Sequence, residues 1–336
     1  MSSLLSLSLL ACGAAHRGDA DTAPARTQDT QVQVLFDQAL QPALLAAIED
    51  ATERVDVAQY TLYDSGSVTV LVDALIAAAS RGVPVRVLAD EVADDSQETL
   101  DRLAAGGVET RLDSPATTSH NKLVIADDQA YVGSHNWSSH AMDQNHEGSV
   151  RLTGSDVAGF YRAVFESLWA DSSGAIELAW GGGGPVTPLV NRQVAPALLD
   201  CIDGALERVR LGLYAFAYDD RYPDSHPALL VDALVASRGR GVDVQVLLDG
   251  SDWIVDNDIN TAAIAQLEAG DVPVQRTPST VTTHAKALVC DDTVVISDAN
   301  WSYSSLDLYN GTSAQLEDAS AVTETLAWWD GLPREG

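Results

Sequence analysis

Two short stretches of the sequence combine residue types that can carry out phosphoryl chemistry. His120 and Lys122 stand two positions apart, and the same pair recurs 164 residues later as His284 and Lys286. These two lysines are the only lysines of the chain, in which arginine is used at every other strongly basic position. An ammonium is a compact point charge, whereas a guanidinium is a planar fork. The restriction of lysine to these two positions therefore indicates that both need the compact charge.

The residues that follow each pair predict the same local structure twice. An apolar run after each lysine is typical of a strand, on which a histidine and a lysine two positions apart share a face. Asp127 and Asp291 come at the predicted strand ends, where we expect them to fix a hairpin turn. The returning strand leads to Ser134 and Asn136, and in the second copy to Asn300. Hydroxyl and amide groups are thereby brought beside each His-Lys face.

The first copy reads HxKxxxxD followed by GSxN, and the second repeats it with Ser297-Asp298 in place of Gly-Ser. This pattern resembles that of the phospholipase D superfamily, and the resemblance extends over roughly residues 32–330. It implies an α/β fold in which two duplicated phospholipase D-like α/β/α sandwich halves pack around one shared active site. It also implies a two-step reaction through a phosphohistidine, with no metal and no cofactor. The superfamily includes lipases, lipid synthases and nucleases.

The resemblance suggests a role for each motif residue. We expect His120 to attack phosphorus, and His284 to protonate the leaving alcohol and later to activate water, although sequence alone leaves these two roles interchangeable. The charged pentavalent state would be stabilised by cationic and neutral donors, namely Lys122, Lys286, Asn136, Asn300 and Ser134.

The two copies differ in their carboxylates. Asn145-His146-Glu147 matches the Asn-x-Glu that follows GSxN in the family, so Glu147 is expected to orient a motif histidine. In the second copy the equivalent position falls near Gly311, and no glutamate is present there. Asp298 is open to two interpretations. It could orient His284 in place of the missing glutamate, or it could place an unfavourable negative charge beside the phosphate.

Composition bounds the class of substrate. The chain of 336 residues has a formal net charge of −30 and a sequence pI near 4.2. Such a surface disfavours nucleic acid, whose binding depends on neutralising phosphates, and it disfavours anionic membranes as well. The sequence contains none of the short cysteine, histidine or carboxylate motifs that are typical of metal sites.

The N-terminus predicts export. Residues 1–11 contain an apolar run too short to span a bilayer and typical of a signal peptide. Leu9-Leu10-Ala11-Cys12 resembles a bacterial lipobox, in which Cys12 would carry the lipid. A polar, flexible tether follows. These features predict a periplasmic protein, an outer-membrane lipoprotein or a secreted protein.

Alternating predicted strands and helices indicate an α/β layered architecture in each half. The domain boundaries predicted from the pattern are a signal segment and tether at 1–31, a first half at 32–175, a glycine-rich linker at 176–188 and a second half at 189–330. Cys201 and Cys290 are expected to be buried free thiols rather than a disulfide.

These observations favour an enzyme, a phosphoric diester hydrolase that acts on phospholipid headgroups at a membrane surface, with transphosphatidylation as a second outcome. Aromatic residues on loops near the motifs could hold an acyl chain or stack bases. The alternatives are a secreted endonuclease of the same superfamily and a phosphate-binding protein with a decayed site. Because one chain holds both half-sites, a monomer is expected to suffice for activity.

Overall fold

The computed structural model describes residues 30–91 and 96–335. Two mixed sheets of seven strands each form the framework, one from each half of the chain. The strands of the first sheet are β1 (Gln31–Phe36), β2 (Val55–Gln59), β3 (Val85–Ala89), β4 (Glu109–Leu112), β5 (Lys122–Ala126), β6 (Gln129–Gly133) and β7 (Gly148–Thr153). Those of the second are β8 (Val186–Val190), β9 (Arg208–Leu213), β10 (Asp243–Leu248), β11 (Val274–Arg276), β12 (Lys286–Cys290), β13 (Thr293–Ile296) and β14 (Thr312–Leu316).

Helices cover the faces of both sheets. In the first half they are α1 (Leu40–Asp50), α2 (Ser67–Ser80), α3 (Ser96–Ala105), α4 (Ser139–Asp143) and α5 (Ser155–Ala170). In the second half they are α6 (Val194–Gly204), α7 (His226–Gly239), α8 (Asp252–Asp256), α9 (Thr261–Ala269) and α10 (Ala319–Gly331). None of the helices within the described residues is long and apolar enough to cross a membrane.

The two sheets have one topology. The first is ordered β1-β7-β6-β5-β2-β3-β4, and the second has the equivalent order β8-β14-β13-β12-β9-β10-β11. The motif strands β5 and β12 occupy the centre, and each is antiparallel to the strand that follows it in sheet order, β2 or β9. Lys122 therefore pairs with Gln59 and Lys286 with Leu213, so that both lysines stand at the edge where β2 and β9 end. This edge carries the site.

The halves pack through a shared core. One cluster of buried residues combines β5, β6 and β7 with β12, β13 and β14, and the long helices α5 and α10 also contribute to it. Helix α10 reaches the first half, where Trp328 stacks on Phe36 with ring centroids 4.5 Å apart and donates a hydrogen bond to Asp37. The expected pair of sandwich halves around one interface is confirmed.

Two expectations are wrong. Cys201 on α6 and Cys290 at the end of β12 form a disulfide, with Cα atoms 5.7 Å apart, and are not free thiols. Their sequence separation of 89 residues conceals this proximity in the sequence. Strand β8 begins at Val186 and pairs with β14, so the last residues assigned to the linker belong to the second sheet. The candidate signal segment and Cys12 lie outside the described residues.

Candidate active site

The first half-site is built at the start of β5. His120 and Lys122 are both buried, with 7% and 4% of their surfaces exposed. The Lys122 ammonium donates a hydrogen bond to the His120 carbonyl at 2.7 Å and lies 4.9 Å from the centre of the Tyr60 ring. Tyr60 also packs against the His120 imidazole, with centroids 4.7 Å apart. The histidine and lysine are thus fixed on one face, as their spacing predicts.

The second half-site repeats this arrangement at the start of β12. Lys286 Nζ lies 3.0 Å from Nε2 of His284 and also donates to the His284 carbonyl. Tyr214 takes the place of Tyr60, because its ring lies 4.6 Å from the His284 ring and 5.2 Å from the Lys286 ammonium. Burial lowers the pKa of Lys286 to about 8, and it also lowers the pKa of Lys122.

Glu147 connects the two half-sites. This fully buried carboxylate, at the start of β7 in the first half, accepts a hydrogen bond of 3.0 Å from Nδ1 of His284 in the second half. Ser134 donates to the same carboxylate at 2.5 Å, and Asn145 donates at 3.2 Å. Burial opposes the ionisation of Glu147, but the His284 charge and hydrogen bond outweigh it and lower the pKa of Glu147 to about 2.

Main-chain pairing explains why a residue of one half meets a histidine of the other. The His284 N–H donates to the His146 carbonyl at 2.8 Å, and the His120 N–H donates to the Asn310 carbonyl at 2.7 Å. Each motif histidine is therefore attached to the segment that follows the asparagine motif in the opposite half. Glu147, the residue after His146, is thereby directed at His284. The two motifs form one site.

The electrostatics of the two imidazoles reflect this closeness. Burial lowers the pKa of His120 well below its ordinary value, and the charges of Lys122, Lys286 and His284 lower it further. Burial also lowers the pKa of His284, to about 4, although the Glu147 carboxylate opposes the shift. Both rings are neutral at pH 7 while the site holds no anion. A neutral imidazole is a nucleophile or a general base.

The remaining predicted residues occupy different positions. Asn136 and Asn300 are partly buried, and each has a buried Oδ1 atom with no hydrogen-bond partner among the described residues. Ser134 is fully buried, and its hydroxyl is engaged by Glu147 and by the Gly148 N–H. The expectation that Ser134 contacts the phosphate is therefore wrong. It supports the Glu147 carboxylate.

Asp127 and Asp291 lie at the hairpin turns, away from the two imidazoles. Each has a positive φ, 49° and 48° respectively, which short polar side chains tolerate best. The Asp127 carboxylate accepts three backbone N–H groups from 52–54, and Asp291 accepts three from 206–208. Both aspartates tie the turn after the motif strand to the loop before β2 or β9.

Asp298 does not orient His284, whose Nδ1 is engaged by Glu147. Its carboxylate instead accepts hydrogen bonds from the Thr312 N–H and the Ser313 hydroxyl, and its charge acts on Lys122 of the first half. Burial raises the pKa of Asp298, and Lys122 opposes this shift. The first of the two interpretations open from sequence is therefore wrong.

Sequence reasoning missed two further pairs. Asp90 and Asp249, at the ends of β3 and β10, accept the backbone N–H of Ser119 and Thr283 at 2.6 Å and so fix the residue before each motif histidine. Tyr60 and Tyr214 follow β2 and β9 and pack on the two histidines. The sequence contains a signal for the two aspartates, because one directly follows the apolar segment at 83–89 and the other directly follows the segment at 242–248.

Within residues 30–91 and 96–335, no group of three or more histidine, cysteine, aspartate or glutamate side chains is arranged to hold a metal ion.

The sequence matches a known family in both halves. The family described as "Cardiolipin synthase, PLD-like domain" matches residues 44–169 and again residues 198–331. The chain belongs to the phospholipase D superfamily. Cardiolipin synthase B of Shigella flexneri and its counterpart in Escherichia coli (strain K12) are each 30% identical over 151 residues, which cover 39% of this chain and 37% of theirs. The chain thus matches little more than a third of the length of these relatives.

Solved structures share the superfamily fold. Phosphatidylserine synthase of Haemophilus influenzae superposes with a TM-score of 0.70 over 91% of this chain and 87% of its own, at 12% identity. Polyphosphate kinase of Porphyromonas gingivalis superposes with a TM-score of 0.62 over 89% of this chain and 50% of its own, at 16% identity. At these identities the likeness shows the fold alone.

Proposed function

We propose that this protein cleaves the phosphodiester of phospholipids and transfers the phosphatidyl group, through a covalent phosphohistidine on His120, to water or to an alcohol. The observation that carries the proposal is the asymmetry of the two histidines. Nδ1 of His284 is hydrogen-bonded to the buried Glu147 carboxylate, whereas Nδ1 of His120 has no hydrogen-bond partner among the described residues. A carboxylate partner increases the basicity of an imidazole, so His284 is suited to proton transfer and His120 to nucleophilic attack.

In the first step, the lone pair of a His120 nitrogen attacks phosphorus and the bond from phosphorus to the headgroup oxygen breaks. His284, protonated once the anionic phosphate raises its pKa, gives its proton to that oxygen. The Lys122 and Lys286 ammonium groups and the Asn136 amide compensate the charge of the pentavalent state. The headgroup alcohol leaves, and a phosphatidyl-histidine remains.

In the second step, the now neutral His284 removes a proton from water or from an acceptor alcohol. The resulting oxygen attacks phosphorus, and the bond between phosphorus and His120 breaks. His120 is restored neutral, and His284 again carries its proton. With water the product is phosphatidic acid, and with an alcohol it is a new phosphodiester. The same residues therefore serve hydrolysis and transfer.

Charge and exposed aromatic surface support a lipid substrate. The net charge of −30 opposes the polyanionic backbone of nucleic acid. Large aromatic side chains are exposed in the second half, with Tyr222, Trp253 and Tyr303 each more than half accessible. The Trp253 ring stacks on Tyr214, which contacts His284, so this exposed indole lies beside the site. Aromatic side chains of this kind suit a membrane interface.

A cavity beside these aromatic residues supports the same substrate class. Its volume is about 950 Å³, and it is lined by Tyr218, Tyr222 and Ser302-Tyr303, just beyond Asn300. Ligand pockets for molecules of lipid-headgroup size and above fall in this range. The two cardiolipin synthases, by their name, form a phospholipid, which supports transfer to an alcohol as an outcome beside hydrolysis.

The disulfide supports the proposed export. Disulfides persist in oxidising compartments and are rare in the cytosol, and Cys201 and Cys290 are joined here. A lipid anchor on Cys12 would hold the enzyme at a membrane that contains its substrate.

The test is product analysis from mixed phospholipid liposomes incubated with ethanol and EDTA. The proposal predicts phosphatidic acid and phosphatidylethanol, detected by mass spectrometry, and neither product from the His120→Ala variant. His140→Ala is the matched control, because His140 is exposed and lies outside the site. Activity of this control should equal that of the wild type.

Three results would contradict the proposal. Full activity of His120→Ala would show that His120 is not the nucleophile. Cleavage of plasmid DNA with no lipid product would make the protein a nuclease of this superfamily. Tight binding of a phosphodiester analogue without turnover of lipid or DNA would make it a binding protein.

A further inference from the structure

The second half has no side chain at the position equivalent to Glu147. Gly311 stands there, at the same offset of 164 residues that relates the two motifs. A Cβ atom built on Gly311 would overlap the carboxylate of Asp298. Asp298 in turn stands where the first half has Ser134. The carboxylate of Asp298 therefore fills the space that a side chain at 311 would enter.

The hydrogen bonds of the two halves correspond in the same way. In the first half, Ser134 accepts the Gly148 N–H at 2.9 Å. In the second half, Asp298 accepts the N–H of the equivalent residue, Thr312, at 3.2 Å, and its other oxygen accepts the Ser313 hydroxyl at 3.1 Å. One aspartate thus makes the backbone contact of Ser134 and also supplies a buried carboxylate, as Glu147 does.

The main-chain pairing identifies which half-site Asp298 serves. The His120 N–H is bonded to the Asn310 carbonyl, just as that of His284 is bonded to the carbonyl before Glu147. The segment around 311 therefore lies beside His120. The Asp298 carbonyl acts on the His120 imidazole, and the Asp298 carboxylate is the strongest negative influence on Lys122. Asp298 is only 1% exposed, so its charge is little screened by water.

We propose that Asp298 is the buried carboxylate of the first half-site, that it replaces from the serine position the glutamate that Gly311 lacks, and that its charge stabilises the buried Lys122 ammonium. The site then has two crossed carboxylates, Glu147 for His284 and Asp298 for Lys122. The negative charge of Asp298 is thus directed at a lysine. Its catalytic consequence rests on the proposed function, but its structural content does not.

The charge on Lys122 reports this arrangement directly. Burial lowers the pKa of Lys122, and the charge of Asp298 opposes that shift more than any other group does. The charged or titratable groups that act on or contact Lys122 are Asp298, Lys286, Glu147, Asp90, His120 and Tyr60. For Lys286 the corresponding leading carboxylate is Glu147. Removal of the Asp298 carboxylate should therefore lower the pKa of Lys122 more than that of Lys286, and removal of the Glu147 carboxylate should lower the pKa of Lys286 more.

The first experiment uses the fact that the chain has two lysines only. Protein labelled with ¹³C-lysine gives two side-chain signals, assigned by Lys122→Met and Lys286→Met, whose shifts are followed against pH. Asp298→Asn should lower the pKa of Lys122 by about 1 unit or more, and that of Lys286 by less. Glu147→Gln, the matched control, should show the opposite preference. The proposal would be overturned if Asp298→Asn left the pKa of Lys122 unchanged, or if it lowered the pKa of Lys122 and of Lys286 equally.

The second experiment exchanges the arrangements of the two halves. Asp298→Ser should lower kcat on a short-chain phospholipid about 100-fold, since the buried Lys122 loses the carboxylate that favours its charged form. Adding Gly311→Glu to that variant restores the first-half arrangement and should recover at least about tenfold of the loss. Unchanged activity in Asp298→Ser, or no recovery in the double variant while its circular dichroism matches the wild type, would contradict the proposal. If the wild type does not act on phospholipids at all, the proposed function fails and the lysine titration still decides the position of Asp298.

Discussion

The carboxylate of Glu147, which belongs to the first half, accepts a hydrogen bond of 3.0 Å from Nδ1 of His284, which belongs to the second. The bond fixes the proton on Nδ1 and directs Nε2 toward Lys286, 3.0 Å away. Neither half therefore contains a finished catalytic unit. The duplication produces one site with two different histidines, rather than two equal sites.

Loss of the Glu147 charge is expected to reduce catalysis. Glu147→Gln should lower kcat/KM by about 100-fold or more, because His284 loses the partner that orients it and favours its protonated form. It should also shift the alkaline limb of the pH profile. Lys286, with a pKa of about 8, loses its charge as pH rises through that value, and Glu147 is the leading group that raises this pKa. The limb should therefore move to lower pH in the variant.

The pH profile separates this role from a structural one. A variant that was only less well folded would lose kcat/KM at all pH values and keep the limb near pH 8. That outcome would contradict the assignment of Glu147 as the orienting group.

The two lysines are expected to be irreplaceable by arginine. Lys122→Arg and Lys286→Arg should each lower kcat by about 100-fold or more, because a guanidinium is larger and planar and each ammonium is enclosed by a histidine and a tyrosine. Steady-state kinetics on a short-chain phospholipid provide the measurement. Arg102→Lys on α3 is the reverse control at a surface ion pair with Asp64, and it should leave kcat unchanged. Near-normal activity in both lysine variants would contradict the need for a compact charge.

The fold could be predicted in large part because its information is local or periodic. The repeat of His120-x-Lys122 at a fixed offset identified both motif strands and their place in the fold. The apolar run after each lysine predicted β5 and β12. Alternation of strands and helices then implied the layered sheets.

What the sequence concealed depends on contacts between distant segments. Glu147 was expected to orient a histidine, but nothing local indicates that the histidine belongs to the other half. The Cys201–Cys290 disulfide joins a helix to a strand 89 residues away, so the two thiols looked independent. Ser134 and Asp298 occupy equivalent positions and have different partners, because one faces a glutamate and the other faces the space left by Gly311.

Burial of His120 should make the free energy of unfolding fall as the pH falls below 6.5. Its pKa in the folded state lies well below 6.5, so the unfolded chain binds a proton first as pH falls, and stability present above pH 6.5 is lost below it. For one such group the loss is at most about 1.4 kcal/mol per pH unit. His284, with its pKa lowered to about 4, acts in the same direction. Asp56 and Asp113, with pKa values raised by burial to about 6 and about 7, act in the opposite direction in the same window.

The comparison of variants isolates the histidine. Urea unfolding at pH 6.5 and pH 5 should show that the free energy of unfolding of His120→Gln falls less than that of the wild type over this interval, by at most about 1.4 kcal/mol per pH unit. His140→Gln, at an exposed position, should behave as the wild type does. An identical pH dependence in all three proteins would show that His120 is not held neutral by burial.

The disulfide should contribute measurably to stability. Closing a loop between residues 89 apart restricts the unfolded chain, so Cys201→Ser should lower the free energy of unfolding by about 2–4 kcal/mol. Reduction of the wild type should lower its Tm to about that of Cys201→Ser, whereas the reductant should leave the Tm of Cys201→Ser unchanged. Thiol titration of the denatured, unreduced protein checks the bond itself. Free thiols from both Cys201 and Cys290 in a sample prepared without reductant would contradict it.

The most direct test of the account is to find the covalent intermediate. The substrate is a phosphatidyl ester of p-nitrophenol, whose p-nitrophenolate group leaves without help from an acid. His284→Ala should therefore form the adduct on His120 but fail to activate water for its release. We expect a burst of p-nitrophenol equal to the enzyme concentration, and a phosphatidyl group on His120 in the peptide mass spectrum of rapidly quenched enzyme. His120→Ala should show neither. An adduct on His284 in the His120→Ala variant, or steady turnover of His284→Ala without a burst, would contradict the assignment of the two histidines.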